Sequence, residues 1–389
     1  MKFAAFAYGF RPFFLGVGLS ALVLVPLWAA NFTFGLTLAT DWPPMLWHAH
    51  EMLFGFVVAA IAGFLLTSVP SWTGRRGFAG PPLVLLAATW LLGRLVAATS
   101  TAWPFALVAV VDLAFLPALA ALLAWPLLRE RNRNTPLLPV LLVLWACNAA
   151  FHLGLLRDDL DLARRALLAA VDLVLLLVTV IGGRITPSFT AAALRLRGVE
   201  GVVRARKSLT VLAVTLMVLV ALVDVAWPGS TLAGWIALAA AVVQAARLAQ
   251  WQGWRVGREP ILWILHLAYL WLPAGLALKA LWLLAAMPVA AAWLHALTVG
   301  AIATMILGVM TRVSLGHTGR ALRLHPLVTA ACLLVSAAAL ARILGAWLPG
   351  LGYAAAIVLS AALWTLAFAS FLWIYTPILA TPRADGRPG

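Results

Sequence analysis

The chain has 389 residues, 65% of them hydrophobic and 10% charged, with a formal net charge of +15. A soluble domain of this size has nowhere to hide so much apolar surface, so the composition excludes that class and points to the bilayer. The two cysteines form no CxxC or CxxCH motif, which argues against a disulfide framework and against covalently attached haem.

A membrane span needs ~20 apolar residues to cross ~30 Å of hydrocarbon. Taken in chain order, the apolar runs predict twelve helices near 13–30, 46–68, 82–99, 103–127, 137–156, 163–183, 208–227, 231–250, 261–285, 288–311, 326–347 and 351–376. The expected fold is all-α: one polytopic transmembrane domain over 1–377, its helices arranged in pseudo-repeats of four, then a disordered cytoplasmic tail over 378–389. Lys2 and Arg11 before the first run read as a retained signal-anchor. With the termini and alternate loops taken as one side, that side holds 21 of the 27 Lys and Arg. The other holds Arg157, Arg164 and Arg165, while Arg94, Lys279 and Arg342 fall inside spans. The positive-inside rule then puts both termini in the cytoplasm of a bacterial inner membrane. The excess positive charge is accounted for by topology, and a nucleic-acid partner is not expected; the lipid bilayer is the first partner.

The same topology sorts the seven histidines by depth. His48 and His50 open the second span in the sequence Trp47-His48-Ala49-His50-Glu51-Met52, His152 closes the fifth, and His295 lies about two turns into the tenth. All four share the outer third of the bilayer, where ionisable groups are costly and therefore functional candidates. His266 lies near the inner end of the ninth span, and His317 and His325 in a cytoplasmic loop. His48 and His50 cannot face the same way, because two residues turn a helix by about 200°. Asp112 and Asp172 lie deeper and are expected to pair inside the bundle.

The second and tenth spans align without a gap at an offset of 245 residues. His50 falls on His295, Gly55 on Gly300, Gly63 on Gly308, and Thr73-Gly74-Arg75 on Thr318-Gly319-Arg320. Each histidine is followed by small residues at plus 5, 9 and 13, a spacing that keeps them on one helix face and leaves room for a flat ligand. The sixth span ends in Gly182-Gly183-Arg184-Ile185-Thr186, similar to Met310-Thr311-Arg312-Val313-Ser314, which suggests three four-helix units. From this matching, His50 and His295 are expected to bind haem iron, with Arg94 or Arg342 neutralising the propionates and His266 as reserve ligand. His48 and His152, at the outer rim, are expected to hold copper, which imidazole suits.

Longer motifs carry a resemblance. Gly9-Phe10-Arg11-Pro12-Phe13-Phe14, WHAHEMLFGF from Trp47 to Phe56, GFLLTSVPSWTG from Gly63 to Gly74, Phe151-His152-Leu153-Gly154, LHLAYLWLP from Leu265 to Pro273 and HALTVGAIATMILGVMTRVSLGHTGR from His295 to Arg320 resemble the NnrS family. Ser71 stands where that pattern often has Asn. The resemblance implies a bacterial membrane protein of the nitric oxide response, in the setting of denitrification, that binds haem and copper. It places His48, His50, His152, His266 and His295 within the family motifs without saying which metal each holds. A weaker likeness, to the catalytic subunit of haem-copper oxidases, lacks the adjacent His-His pair and any histidine on spans six or seven.

Three functions stay open at this point. One is a haem and copper protein acting on nitric oxide by binding, sensing or redox chemistry, with an electron-transfer partner. Another is a nitric-oxide reductase or oxidase, against which the scarcity of buried carboxylates argues. A carrier of copper, haem or a small solute is the third, which matched spans also fit.

Overall fold

In the computed structural model, residues 4–287, 290–345 and 352–387 are described. Among them there is no strand, and twelve helices are long and apolar enough to cross a membrane. They are α1 (Phe10–Phe34), α2 (Pro44–Thr73), α3 (Pro81–Ala98), α4 (Phe105–Arg129), α5 (Leu137–Leu156), α6 (Leu160–Arg195), α7 (Lys207–Ala226), α8 (Thr231–Ala249), α9 (Pro260–Ala285), α10 (Ala292–His317), α11 (Pro326–Leu344) and α12 (Tyr353–Ala380). Each matches one apolar run; the turn expected near 350 lies outside the described residues. Four of the helices start on proline (Pro44, Pro81, Pro260 and Pro326), whose missing N–H costs nothing in a first turn.

Contacts divide the chain into two compact units. The first comprises residues 1–170, 312–322 and 368–389; the second comprises 171–311 and 323–367. Within the first unit α1 packs along α2, and α2 on α4. Arg11, fully buried, donates from Nη1 to the carbonyls of Leu379 (2.8 Å) and Thr381 (2.7 Å), so the Gly-Phe-Arg-Pro motif caps the end of α12. In the second unit α9 packs along α8 and α10.

The α2–α10 match reappears in the backbone. Both helices contain a π-helical segment, Glu51–Val57 and Ala296–Ala303, whose starts differ by the same 245 residues. Gly74 (φ +67°) and Gly319 (φ +71°) follow them in the left-handed conformation that glycine adopts without strain. The next helices begin on Pro81 and Pro326, again in register. A third π segment, Val178–Gly182, lies in α6. Helices two, six and ten thus share one irregularity. Such turns leave carbonyls for side chains: Trp90 Nε1 donates to Gly55 O at 3.1 Å, and Arg247 Nη1 to Thr179 O at 2.8 Å.

Two boundaries differ from the sequence reading. Helix α6 does not stop at 183; it continues to Arg195 and buries Thr186, Thr190 and Leu194 on one face, so the expected loop from Arg184 is half helix. Helix α12 runs through Pro377 to Ala380, held by the Arg11 cap. Beyond it, Arg383 Nη1 donates to His317 O (2.9 Å) and Ala384 N to Thr318 O (2.9 Å), so the segment assigned to a disordered tail is tied down through residue 384.

Candidate metal centre

In the first unit four helices bring polar side chains to one depth. His50 sits at the last residue before the π segment of α2, and Glu51 opens it. Arg94 comes from α3, Asp112 from α4, and Asn148 and His152, four residues apart on one face, from α5. His50, Glu51, Asp112, Asn148 and His152 are all buried, at 0–4% exposure.

Asp112 Oδ2 is the focus. His152 Nε2 lies 2.9 Å from it, His50 Nε2 3.2 Å, and Asn148 Nδ2 donates to it at 2.8 Å. His50 Nε2 also lies 2.9 Å from Asn148 Oδ1, and His50 Nδ1 lies 3.1 Å from Glu51 Oε1. Both His50 nitrogens therefore face acceptors, and the ring needs either two protons or one proton and a cation at Nε2. Arg94 pairs with Glu51 and with Asp112 Oδ1. Two carboxylates against one guanidinium leave a negative excess in a buried place, which a further cation offsets. Aromatic rings close the walls: Phe151 stacks on His50 at 4.6 Å, and Trp42 meets His50 and His152 edge-on at 4.9 and 5.5 Å.

One ligand atom each from His50, Asp112 and His152 lie within 4.8 Å of one another, the one such group among the described residues. Nitrogen and carboxylate donors of this kind suit copper or zinc. Glu51 on His50 Nδ1 is the outer partner that fixes a ligating imidazole, and His152 Nδ1 and Glu51 Oε2 are buried without a hydrogen-bond partner. The donor set fits a metal ion.

A family model described as NnrS protein matches residues 4–383, nearly the whole chain. The chain belongs to the NnrS family. No match is found among curated proteins.

The remaining sequence candidates of this NnrS chain are distributed as follows. His48 turns away from His50, as helix geometry requires, and stacks on Trp28 at 4.7 Å, so the metal group joins His152 with His50 and leaves His48 out. Arg94 serves the two carboxylates. Arg342 donates to Tyr353 Oη at 2.6 Å and lies over its ring. Lys279 pairs with Asp224 and lies 4.9 Å over the Trp293 ring. His295 precedes the π segment of α10, half-buried, in the second unit. His266, also in the second unit, has Nε2 2.8 Å from Thr190 Oγ1, and Gly253 closes on Nδ1 so tightly that a Cβ there would meet it at 2.5 Å.

Those contacts bear on haem. Both nitrogens of His50 are engaged by acids and an amide, and both sides of His266 are covered, so neither imidazole as arranged has room for a macrocycle at its ring nitrogen. The surroundings of these two residues do not fit haem. Asp112, Asn148 and Glu51 are the members of the centre that the histidine count missed. The signal for Asp112 was its rarity as an acid inside a span, on the helix before His152.

Proposed function

We propose that this NnrS-family membrane protein holds copper at His50, Asp112 and His152 and serves the nitric oxide response by binding or redox chemistry there. The convergence of two imidazoles on one buried carboxylate oxygen supports this reading above any other observation. Copper held there by His50, Asp112 and His152 would supply one-electron chemistry. The chain supplies the rest. Glu51 orients the His50 ring, and Arg94 holds Glu51 and Asp112 in place and offsets part of their charge. Trp42, Phe151 and Phe54, whose buried ring lies 4.9 Å from that of His50, keep water away, which strengthens every charge interaction inside. The proposed setting is the bacterial inner membrane with both termini cytoplasmic.

The test is metal analysis of purified protein followed by anaerobic nitric oxide titration. Copper bound in the wild type and lost in His152→Ala, with a nitric oxide-dependent spectral change in the wild type alone, supports the reading. Equal copper in both proteins would remove it. Sustained consumption of nitric oxide with an electron donor would make the protein a reductase rather than a binder.

Haem is proposed for the second unit, on the resemblance and on His295, whose helix repeats the pattern of α2. A Soret band in the wild type that His295→Ala abolishes supports this. A Soret band unchanged by that substitution removes His295 from consideration.

A further inference from the structure

The second unit contains a buried cation with no counter-charge. Arg247, near the end of α8, is 4% exposed, and among the described residues no carboxylate lies within 4.0 Å of it. Its guanidinium donates from Nη1 to Thr179 O (2.8 Å) and Tyr269 Oη (2.7 Å), and from Nη2 to Gly183 O (3.3 Å). Trp251 lies 5.4 Å from it and Tyr269 5.9 Å, both with their rings toward the charge. These partners are dipoles and π faces. They position the fork but do not neutralise it, and an unpaired buried charge is expensive. Three of the five N–H groups are used, so part of the fork is still available for an acceptor.

A second unused donor stands on the helix whose carbonyls Arg247 holds. Thr186 stands one turn after Gly183 on α6, 1% exposed, and its Oγ1 has no hydrogen-bond partner. The next turn shows where its neighbours' protons go. Thr190 Oγ1 donates to Thr186 O at 2.9 Å, so His266 Nε2–H, at 2.8 Å, is the donor to Thr190. That chain of hydrogen bonds ends without using the Thr186 hydroxyl. Gln244 is occupied, accepting from Tyr269 Oη at 2.6 Å and donating to Thr179 Oγ1 at 3.0 Å.

We propose that Arg247 and Thr186 bind a small monovalent inorganic anion inside the second unit. Arg247 and Thr186 each have an unused donor, the unbalanced charge is positive, and a planar guanidinium edge matches a planar oxyanion better than a sphere. The near-complete burial of Arg247, Thr186, Thr190, Tyr269 and Trp251 excludes a lipid headgroup on size. The site lies within the second unit, and its argument does not rest on the copper proposed for the first.

Calorimetry on detergent-solubilised full-length protein, in buffer free of chloride and phosphate, tests this with nitrate and chloride as probes. The wild type is expected to bind one nitrate per chain, saturably and more tightly than chloride. Thr186→Val, of the same shape without the hydroxyl, should weaken nitrate about tenfold. Arg247→Lys keeps the charge without the fork and should erase the preference for nitrate. Because Arg247 also braces the α6 π segment, its variant could unfold; Thr186→Val leaves those bonds intact, and an unchanged melting temperature shows that it is folded. Absence of saturable binding in the wild type, or equal nitrate affinity in Thr186→Val, would overturn the site and leave Arg247 as a brace alone.

Discussion

At the scale of the residue, the centre stands or falls with Asp112. Its Oδ2 takes contacts from His50, Asn148 and His152, and its Oδ1 pairs with Arg94. Asp112→Asn should release the metal, and Arg94 then keeps Glu51 as its counter-charge but loses its second carboxylate, so the stability loss should be smaller than the about 3–5 kcal/mol of a fully orphaned buried charge. A lower thermal midpoint and loss of bound copper, measured on the same sample, are expected together. Glu51→Gln spares all three proposed ligands and should act more mildly, weakening copper about 10–100-fold through the lost outer partner of His50. A competition titration with a copper chelator reads that change, and an unaltered affinity would show that Glu51 does not orient the ring. The sequence marked these groups as ionisable residues inside spans but not their direction around each helix, and it set Asp112 deeper than the two histidines it meets. His50 and His152 stood out because imidazoles are rare in spans, and the opposed facing of His48 and His50 followed from a 200° turn. Asp112 was visible as an intramembrane acid. That it meets His152, 40 residues on, depends on how α4 packs against α5, which no local pattern records.

At the scale of the element, the π segments of α2, α6 and α10 are the shared irregularity. In α2 the wide turn begins immediately after His50 and ends at Val57, so it sets the rotation of the histidine end against the Gly63 end. Deleting Met52 should tighten the segment toward α-helix and swing His50 by about 100° relative to the rest of α2. The variant is expected to insert into membranes and hold no copper; retained copper would show that the segment does not position the site. The repeat was legible as aligned side chains, His50 on His295 and Gly74 on Gly319, whereas the π geometry was not, because it arises from packing. The same limit explains α6: Arg184 reads as the end of a span, yet the buried Thr186–Thr190 face carries the helix to Arg195. In the tail, a hydrogen bond from Arg383 holds Asp385 well below the usual carboxylate range, and Asp385 in return raises Arg383. A lowered carboxyl contributes stability above its unfolded pKa of about 3.9 and loses it as pH falls through the folded value. Tail protection against proteolysis should therefore be flat from neutral pH to mild acid and lost only in strong acid; release near neutrality would contradict the pairing.

At the scale of the whole molecule, composition and charge fixed the class before any coordinate. The twelve helices lie where the apolar runs do, and the Lys/Arg alternation assigns Ala39 and Arg131 to opposite sides of the membrane. Reporter fusions after those two residues should report opposite compartments, and a common one would overturn the orientation. Membership of the NnrS family covers the chain from 4 to 383, and the centre proposed for it involves α2, α3, α4 and α5 of the first unit. The most direct measurement is copper per chain, by elemental analysis with electron paramagnetic resonance of the oxidised protein, on wild type, His152→Ala and Asp112→Asn purified in parallel. The proposed centre requires bound copper with nitrogen hyperfine structure in the wild type and its loss in both variants. Copper content and spectrum unchanged across all three would contradict it.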